Sequence, residues 1–235
     1  MSKSHQPKPA FFDARKLADP TNRYVCWLDL IGAGNAMRLS LPRAANFIAK
    51  IHVAGQRAIA KKPGIRAYPA IDGVYAVTEQ RATMEAFLKD AMIILSTTFL
   101  DETDHHRRFS VRCGVAFGYI YEGAELSLGA PDLAANRGYS QSLAVGPAIS
   151  NAYESEGQAP FFGICVHDTA RTYAPVGETP FPNRLWHWVP SKQYSKEMGT
   201  QLKTYFDWAG KNAESILFPA DKLPKYRKQV EEYFD

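Results

Sequence analysis

Asp29 and Asp72 are the side chains best placed to do chemistry. Each sits within a short strand-like run, the first in YVCWLDLI at 24–31 and the second in IRAYPAIDGVYAV at 65–77. A carboxylate inside an otherwise apolar run costs several kcal/mol to desolvate unless something positive meets it. Two of them point to a divalent-metal site. Asp29 is followed at once by Leu30-Ile31-Gly32-Ala33-Gly34-Asn35 and then by a helical pattern. Gly32 and Gly34 allow a tight turn whose bare N–H groups can cradle phosphate. Asp72-Gly73 reads as the tip of a β-hairpin with arms at 65–70 and 74–78. Taken singly, Asp29 also suits a helix cap and Asp72 its turn. The pair, with the glycine turn beside it, favours a metal-and-phosphate site.

The elements that must position these residues follow from periodicity. Residues 1–22 read as an N-terminal extension, and the core opens with the strand at 24–31. Helical spacing runs over 42–61 and stops at Pro63-Gly64; a second helix over 79–99 sets Met84, Phe87, Leu88, Ala91, Met92, Leu95 and Phe99 along one face, as core packing. A strand at 109–121, a Gly/Ala/Pro-bearing loop, a helix near 141–155, strands at 161–167 and 184–189 and a polar helix over 192–216 complete the chain. The order βαββαβ predicts an α+β fold with a ferredoxin-like split βαβ core and C-terminal additions. The domain expected is 23–190, followed by a helical extension at 191–235. The last stretch, KLPKYRKQVEEYFD, reads as surface, and His105-His106 as solvated loop.

Composition narrows the class. At 235 residues and 46% hydrophobic content the chain can bury one large core. Its net charge of +4 is spread along the chain without dense Lys/Arg blocks, which argues against a nucleic-acid partner and suits an anionic small ligand. Cys26, Cys113 and Cys165 lie in strand-like runs without zinc or disulfide spacing, so buried reduced thiols are expected. The polar N-terminus and the absence of any long apolar stretch predict a cytoplasmic protein with no membrane partner.

These residues resemble the class III nucleotide cyclases. The family's strand ending in Asp-Ile-x-Gly-Phe is matched by Asp29-Leu30-Ile31-Gly32-Ala33, and its Gly-Asp hairpin by Ile71-Asp72. Its Arg-x-Gly-Ile/Val strand is matched by Arg112-Cys113-Gly114-Val115. Its Gly-x-x-Val-Asn-x-Ala-x-Arg helix is echoed by the run Gly146 to Glu154. The resemblance covers roughly 22–190. It implies a βαββαβ cyclase core, two Mn²⁺ or Mg²⁺ ions held by Asp29, Asp72 and the Leu30 carbonyl, and triphosphate contacts from Gly32, Ala33, Gly34 and Asn35. It also implies a homodimer in which the Asp pair of one chain faces the 146–154 helix of the other.

Two departures refine that expectation. Purine cyclases carry a lysine four residues before the second metal aspartate; here Tyr68 stands there, two residues after Arg66. An aromatic side chain narrows the base pocket, which favours a pyrimidine. The chain thus looks like the pyrimidine cyclases of the Pycsar antiphage systems, whose cyclic product switches on a separate effector protein. UTP is the preferred substrate and CTP the alternative. The second departure is Ser150 and Glu154 where the family offers Asn and Arg. Asn151, one position along, is the candidate for ribose or α-phosphate, and Arg137, Arg184 or Lys192 for the missing cation. Without such a cation the chain would be a non-catalytic, nucleotide-binding cyclase-like module.

Overall fold

A computed structural model describes residues 11–60 and 62–235. The first part of the expected extension and Lys61, at the expected end of the first long helix, lie outside the described residues.

β1 (Thr21–Leu30) is apolar and buried from Tyr24 to Leu28 because both of its faces are covered. A turn at Gly32 leads through α1 (Ala33–Leu39) into α2 (Leu41–Ile59), which Ser40 caps by accepting the Arg43 N–H. The hairpin of β2 (Ile65–Pro69) and β3 (Gly73–Thr78) follows, then α3 (Arg81–Asp101) and β4 (Val111–Glu122). These pair antiparallel in the order β2-β3-β1-β4. That is the strand order of a split βαβ pair, so the α+β core expected from the sequence is present.

The expected loop after β4 is instead a chain of short helices, α4 (Gly123–Gly129), α5 (Pro131–Ala135) and α6 (Arg137–Ser140). A capping box between Glu122 and Glu125 starts the first, a proline at the first turn the second, and an Asn136 cap the third. β5 (Ala144–Val145) pairs with the far end of β4. The next helix, α7 (Pro147–Glu156), begins later than the expected 141 because Gly146, at φ 154, breaks the backbone before it. β6 (Ile164–Val166) lies parallel to β4 and leads into α8 (Asp168–Thr172). The strand expected at 184–189 shrinks to a single bridge between Leu185 and Cys165.

α9 (Lys192–Lys211) stops short of the expected 216, and α10 (Leu223–Phe234) closes the described chain. The reading of this last segment as surface is corrected: Tyr226, Val230, Tyr233 and Phe234 are buried, and the Tyr233 hydroxyl donates to the Trp186 carbonyl. His105 is half-buried and stacks on Trp208, with ring centroids 5.4 Å apart, whereas His106, edge-on to the same indole at 4.9 Å, is exposed as expected.

Strand alternation divides the core in two. One face of the sheet, carrying Tyr24, Cys26 and Leu28, packs with α2, α3, α9 and α10 in the large hydrophobic cluster. The other, carrying Val25, Trp27, Tyr68 and Val77, packs with Ala148 and Ala152 of α7. Gly114 permits that contact, since a Cβ there would overlap the Ala152 carbonyl. All three cysteines are free and buried, and no described helix is long and apolar enough to cross a membrane.

Candidate functional site

Asp29 is two residues beyond Trp27 on β1 and so shares the α7 face of the sheet. It lies opposite Gly73 on β3 and opposite Arg112 on β4. The Leu30 N–H donates to the Asp72 carbonyl at 3.1 Å, which fixes the hairpin tip beside the end of β1. Gly73 is required there because the Trp27 indole occupies the space a Cβ would take. The two aspartates that sequence spacing singled out thus belong to neighbouring strand ends, and both are half-buried.

Burial pushes the Asp29 carboxyl up to about 8, and the charges of Glu156 and Asp72 add to that effect while Arg112 opposes it. Arg112 meets Glu156, at the end of α7, in an ion pair of 2.6 Å; their side chains are 17% and 8% exposed. Burial also raises the Glu156 carboxyl, against the pull of Arg112 and with the help of Asp72. Three carboxylates therefore act on one another around a single guanidinium that is already engaged. Sequence reading placed Arg112 in a motif but missed Glu156, whose approach depends on how α7 crosses the sheet. Tyr75, Trp27 and Tyr153 form an aromatic wall alongside, with Trp27 centred 4.3 Å from Tyr75. The Tyr75 hydroxyl is pushed up to about 12, first by burial and then by Tyr153 and Asp29.

This donor set suits a hard divalent cation. It offers oxygen ligands only, carries surplus negative charge, and holds a carboxyl that burial keeps protonated until a cation takes the proton's place. Among the described residues no three His, Cys, Asp or Glu side chains converge to hold a metal by themselves. An ion here would be completed by backbone carbonyl, water or phosphate oxygen, the usual arrangement for Mg²⁺.

The glycine turn is partly covered. Gly32 adopts the left-handed conformation at φ 77, and a Cβ on it would overlap the Leu217 carbonyl. The Asn35 side-chain amide donates to that same carbonyl at 3.0 Å. Ala33 is buried, whereas open space lies next to Gly34. The segment between α9 and α10 thus lies across the turn, with Leu217 only 2% exposed.

The remaining sequence-predicted residues lie farther out. Tyr68 is buried on the α7 face, separated from β1 by Tyr75, and its hydroxyl donates to Glu122. Arg66 pairs with the same carboxylate while keeping its side chain 60% exposed. Asn151 lines a cavity of about 460 Å³ with Asn22, Tyr119, Thr169 and Tyr173, and Asp29 is not among the residues that line it. Of the candidate cations, Arg137 is exposed on α6, Arg184 donates to Gln158, and Lys192 lines a cavity with Lys196 and Tyr233.

No protein-family model matches the chain, and no curated protein matches it. Among solved structures it is similar to the monomeric guanylyl cyclase domain of the RhoGC fusion protein from the aquatic fungus Blastocladiella emersonii, at 12% identity over 66% of this chain and 85% of that one, with a TM-score of 0.49. It is similar to an adenylate/guanylate cyclase/hydrolase from Silicibacter pomeroyi at 17% identity, over 74% and 99% of the two chains, with a TM-score of 0.47. The guanylate cyclase domain of RhGC from Catenaria anguillulae, solved in complex with GTP, gives 13% identity over 63% and 79%, with a TM-score of 0.45.

Proposed function

We propose that the chain is a nucleotide cyclase that closes UTP to 3′,5′-cyclic UMP and pyrophosphate. The observation that carries the reading is the half-buried Asp29 beside Asp72, on adjacent strand ends, in surroundings that hold more carboxylate than cation. The four sequence motifs and the β2-β3-β1-β4 order support it. Asp29, Asp72 and the Leu30 carbonyl hold two Mn²⁺ or Mg²⁺ ions. Those ions, when bound, lower the pKa of the ribose 3′-hydroxyl and neutralise triphosphate charge. The hydroxyl loses its proton to solvent and its oxygen bonds to the α-phosphorus. The bond from that phosphorus to the β-phosphate bridge breaks, and pyrophosphate leaves. The N–H groups from Gly32 to Asn35 orient the phosphates, most openly at Gly34. No protein nucleophile is needed.

The pyrimidine preference rests on Arg66 and Tyr68. Glu122 anchors both, so Tyr68 narrows this part of the face while the exposed side of Arg66 offers donors to a pyrimidine carbonyl. In the proposed homodimer, Asn151 of one chain serves the Asp pair of the other. The resemblance extends the proposal to antiphage defence, the cyclic product acting on a separate effector protein.

The test is to incubate the purified chain with ATP, GTP, CTP or UTP and Mn²⁺ and separate the products, with Asp72→Asn as the inactive, folded control. Cyclic UMP as the main product is expected. Cyclic CMP would move the assignment to cytidylate cyclase, and no cyclic product from any triphosphate would refute the enzyme. The covering of Gly32 by Leu217 favours a second reading, a nucleotide-binding module without turnover, for which binding without product is the signature.

A further inference from the structure

A second polar cluster lies on the opposite side of the sheet, where α2, the turn before β4 and α9 meet. Arg43, Phe47 and Lys50 share one face of α2, at the four- and three-residue spacing that stacks side chains. Arg43 lies over the Phe47 ring at 5.4 Å, and Lys50 lies over Phe109 at 5.2 Å. Arg108, only 5% exposed, lies over Phe99 at 4.8 Å. Its Nε donates to the Glu102 carbonyl at 2.8 Å and its Nη2 to Gln201 at 3.1 Å, while its Nη1 is buried with no partner. Arg43 gives Nη1 to the Ser215 carbonyl at 3.0 Å, and its Nε and Nη2 are buried without partners, as is Nδ1 of His105.

Among the described residues none of Arg43, Lys50 or Arg108 makes an ion pair. The nearby carboxylates bond elsewhere and offset the three cations only through space: Glu102 accepts the Asp104 N–H, and Asp104 accepts the His106 N–H and pairs with Arg107. Burial lowers the pKa of all three cations, which is the signature of charge held out of water. Unpaired buried charge is among the costliest features a fold can carry. Arg108 is the most deeply placed of the three, whereas Arg43 and Lys50 are half-buried.

We infer that Arg43, Lys50, His105 and Arg108 form a binding site for a compact phosphate-like oxyanion, separate from the Asp29–Asp72 site. Three unpartnered guanidinium nitrogens on two arginines match the several acceptor oxygens of such an ion, and the aromatic floor strengthens each contact by excluding water.

The experiment titrates inorganic phosphate into the full chain, freed of divalent cations, by calorimetry at constant ionic strength. Saturable one-site binding is expected, weakened about tenfold in Arg43→Gln and measurably in Lys50→Gln, with Asp29→Asn binding as wild type. Arg43 and Lys50 are chosen because they are half-buried and Arg43 makes one hydrogen bond, to the Ser215 carbonyl, whereas Arg108 is buried and holds both the Glu102 carbonyl and Gln201. No saturable binding by the wild type overturns the site, as does equal affinity in all variants or loss of binding in Asp29→Asn. None of these results depends on whether the chain cyclises a nucleotide.

Discussion

Asp29 holds its proton near neutral pH because burial, Glu156 and Asp72 push its carboxyl up to about 8. A cation that binds there must displace that proton. Mn²⁺ affinity is therefore expected to rise about tenfold per pH unit below that value and to level off above it. Calorimetric titration at a series of pH values checks this, and Asp29→Asn should remove the slope; a flat profile in the wild type would mean that the ion binds elsewhere. Arg112 has a different task, keeping Glu156 compensated where both are largely withdrawn from water. Arg112→Gln strands a buried carboxylate and is expected to cost about 3–5 kcal/mol in denaturant unfolding, most of it recovered in the Arg112→Gln/Glu156→Gln double variant. Equal costs for the single and double variants would show that the pair is not the source. The aspartates were legible in the sequence because each interrupts an apolar run. Glu156 was not, because its partner lies forty-four positions earlier and only the packing of α7 joins them.

Elements with a strong period were the legible ones. The cores of β1, β3, β4, α2 and α3 fall where alternation or helical spacing places them, because one tertiary face decides each pattern. The run at 184–189 is apolar enough for a strand, yet only Leu185 finds a bridging partner, and pairing is not a local property. α10 spaces Tyr226, Val230, Tyr233 and Phe234 along one stripe, but Lys, Arg and Glu between them dilute the signal. Contact between elements also sets which glycines are obligatory. Gly114 lies beneath the Ala152 carbonyl, so Gly114→Ala must push α7 away from β4, carrying Glu156 from Arg112. A loss of about 2 kcal/mol or more is expected on chemical denaturation. Gly34 lies within α1 next to open space, and there Gly34→Ala should be neutral or stabilising by up to about 1 kcal/mol. Equal effects at the two sites would show that helix-to-sheet contact is not what Gly114 secures.

At the scale of the molecule, α9 and α10 belong to the same hydrophobic cluster as the sheet, and the segment joining them lies across the glycine turn. The C-terminal region therefore shapes the site as well as the core. The other molecular consequence concerns α7, whose end and middle look in different directions. Glu156 reaches the Asp29 side, whereas Asn151, five residues earlier and so about 140° round the helix, opens into a separate cavity with Tyr119 and Tyr173. Asn151 thus lines a cavity that its own aspartates do not, and the proposed twofold dimer would present it to the partner's. If the proposed cyclase works that way, Asp72→Asn and Asn151→Ala are each inactive alone, and every mixed dimer contains one site assembled from two intact halves. Random subunit exchange makes half of the dimers mixed, so the mixture should recover about a quarter of the wild-type rate. Cyclic product measured before and after mixing, with mass photometry to follow exchange, reads this directly. Recovery absent despite exchange would place both residues in service of the same site and end the shared-site dimer.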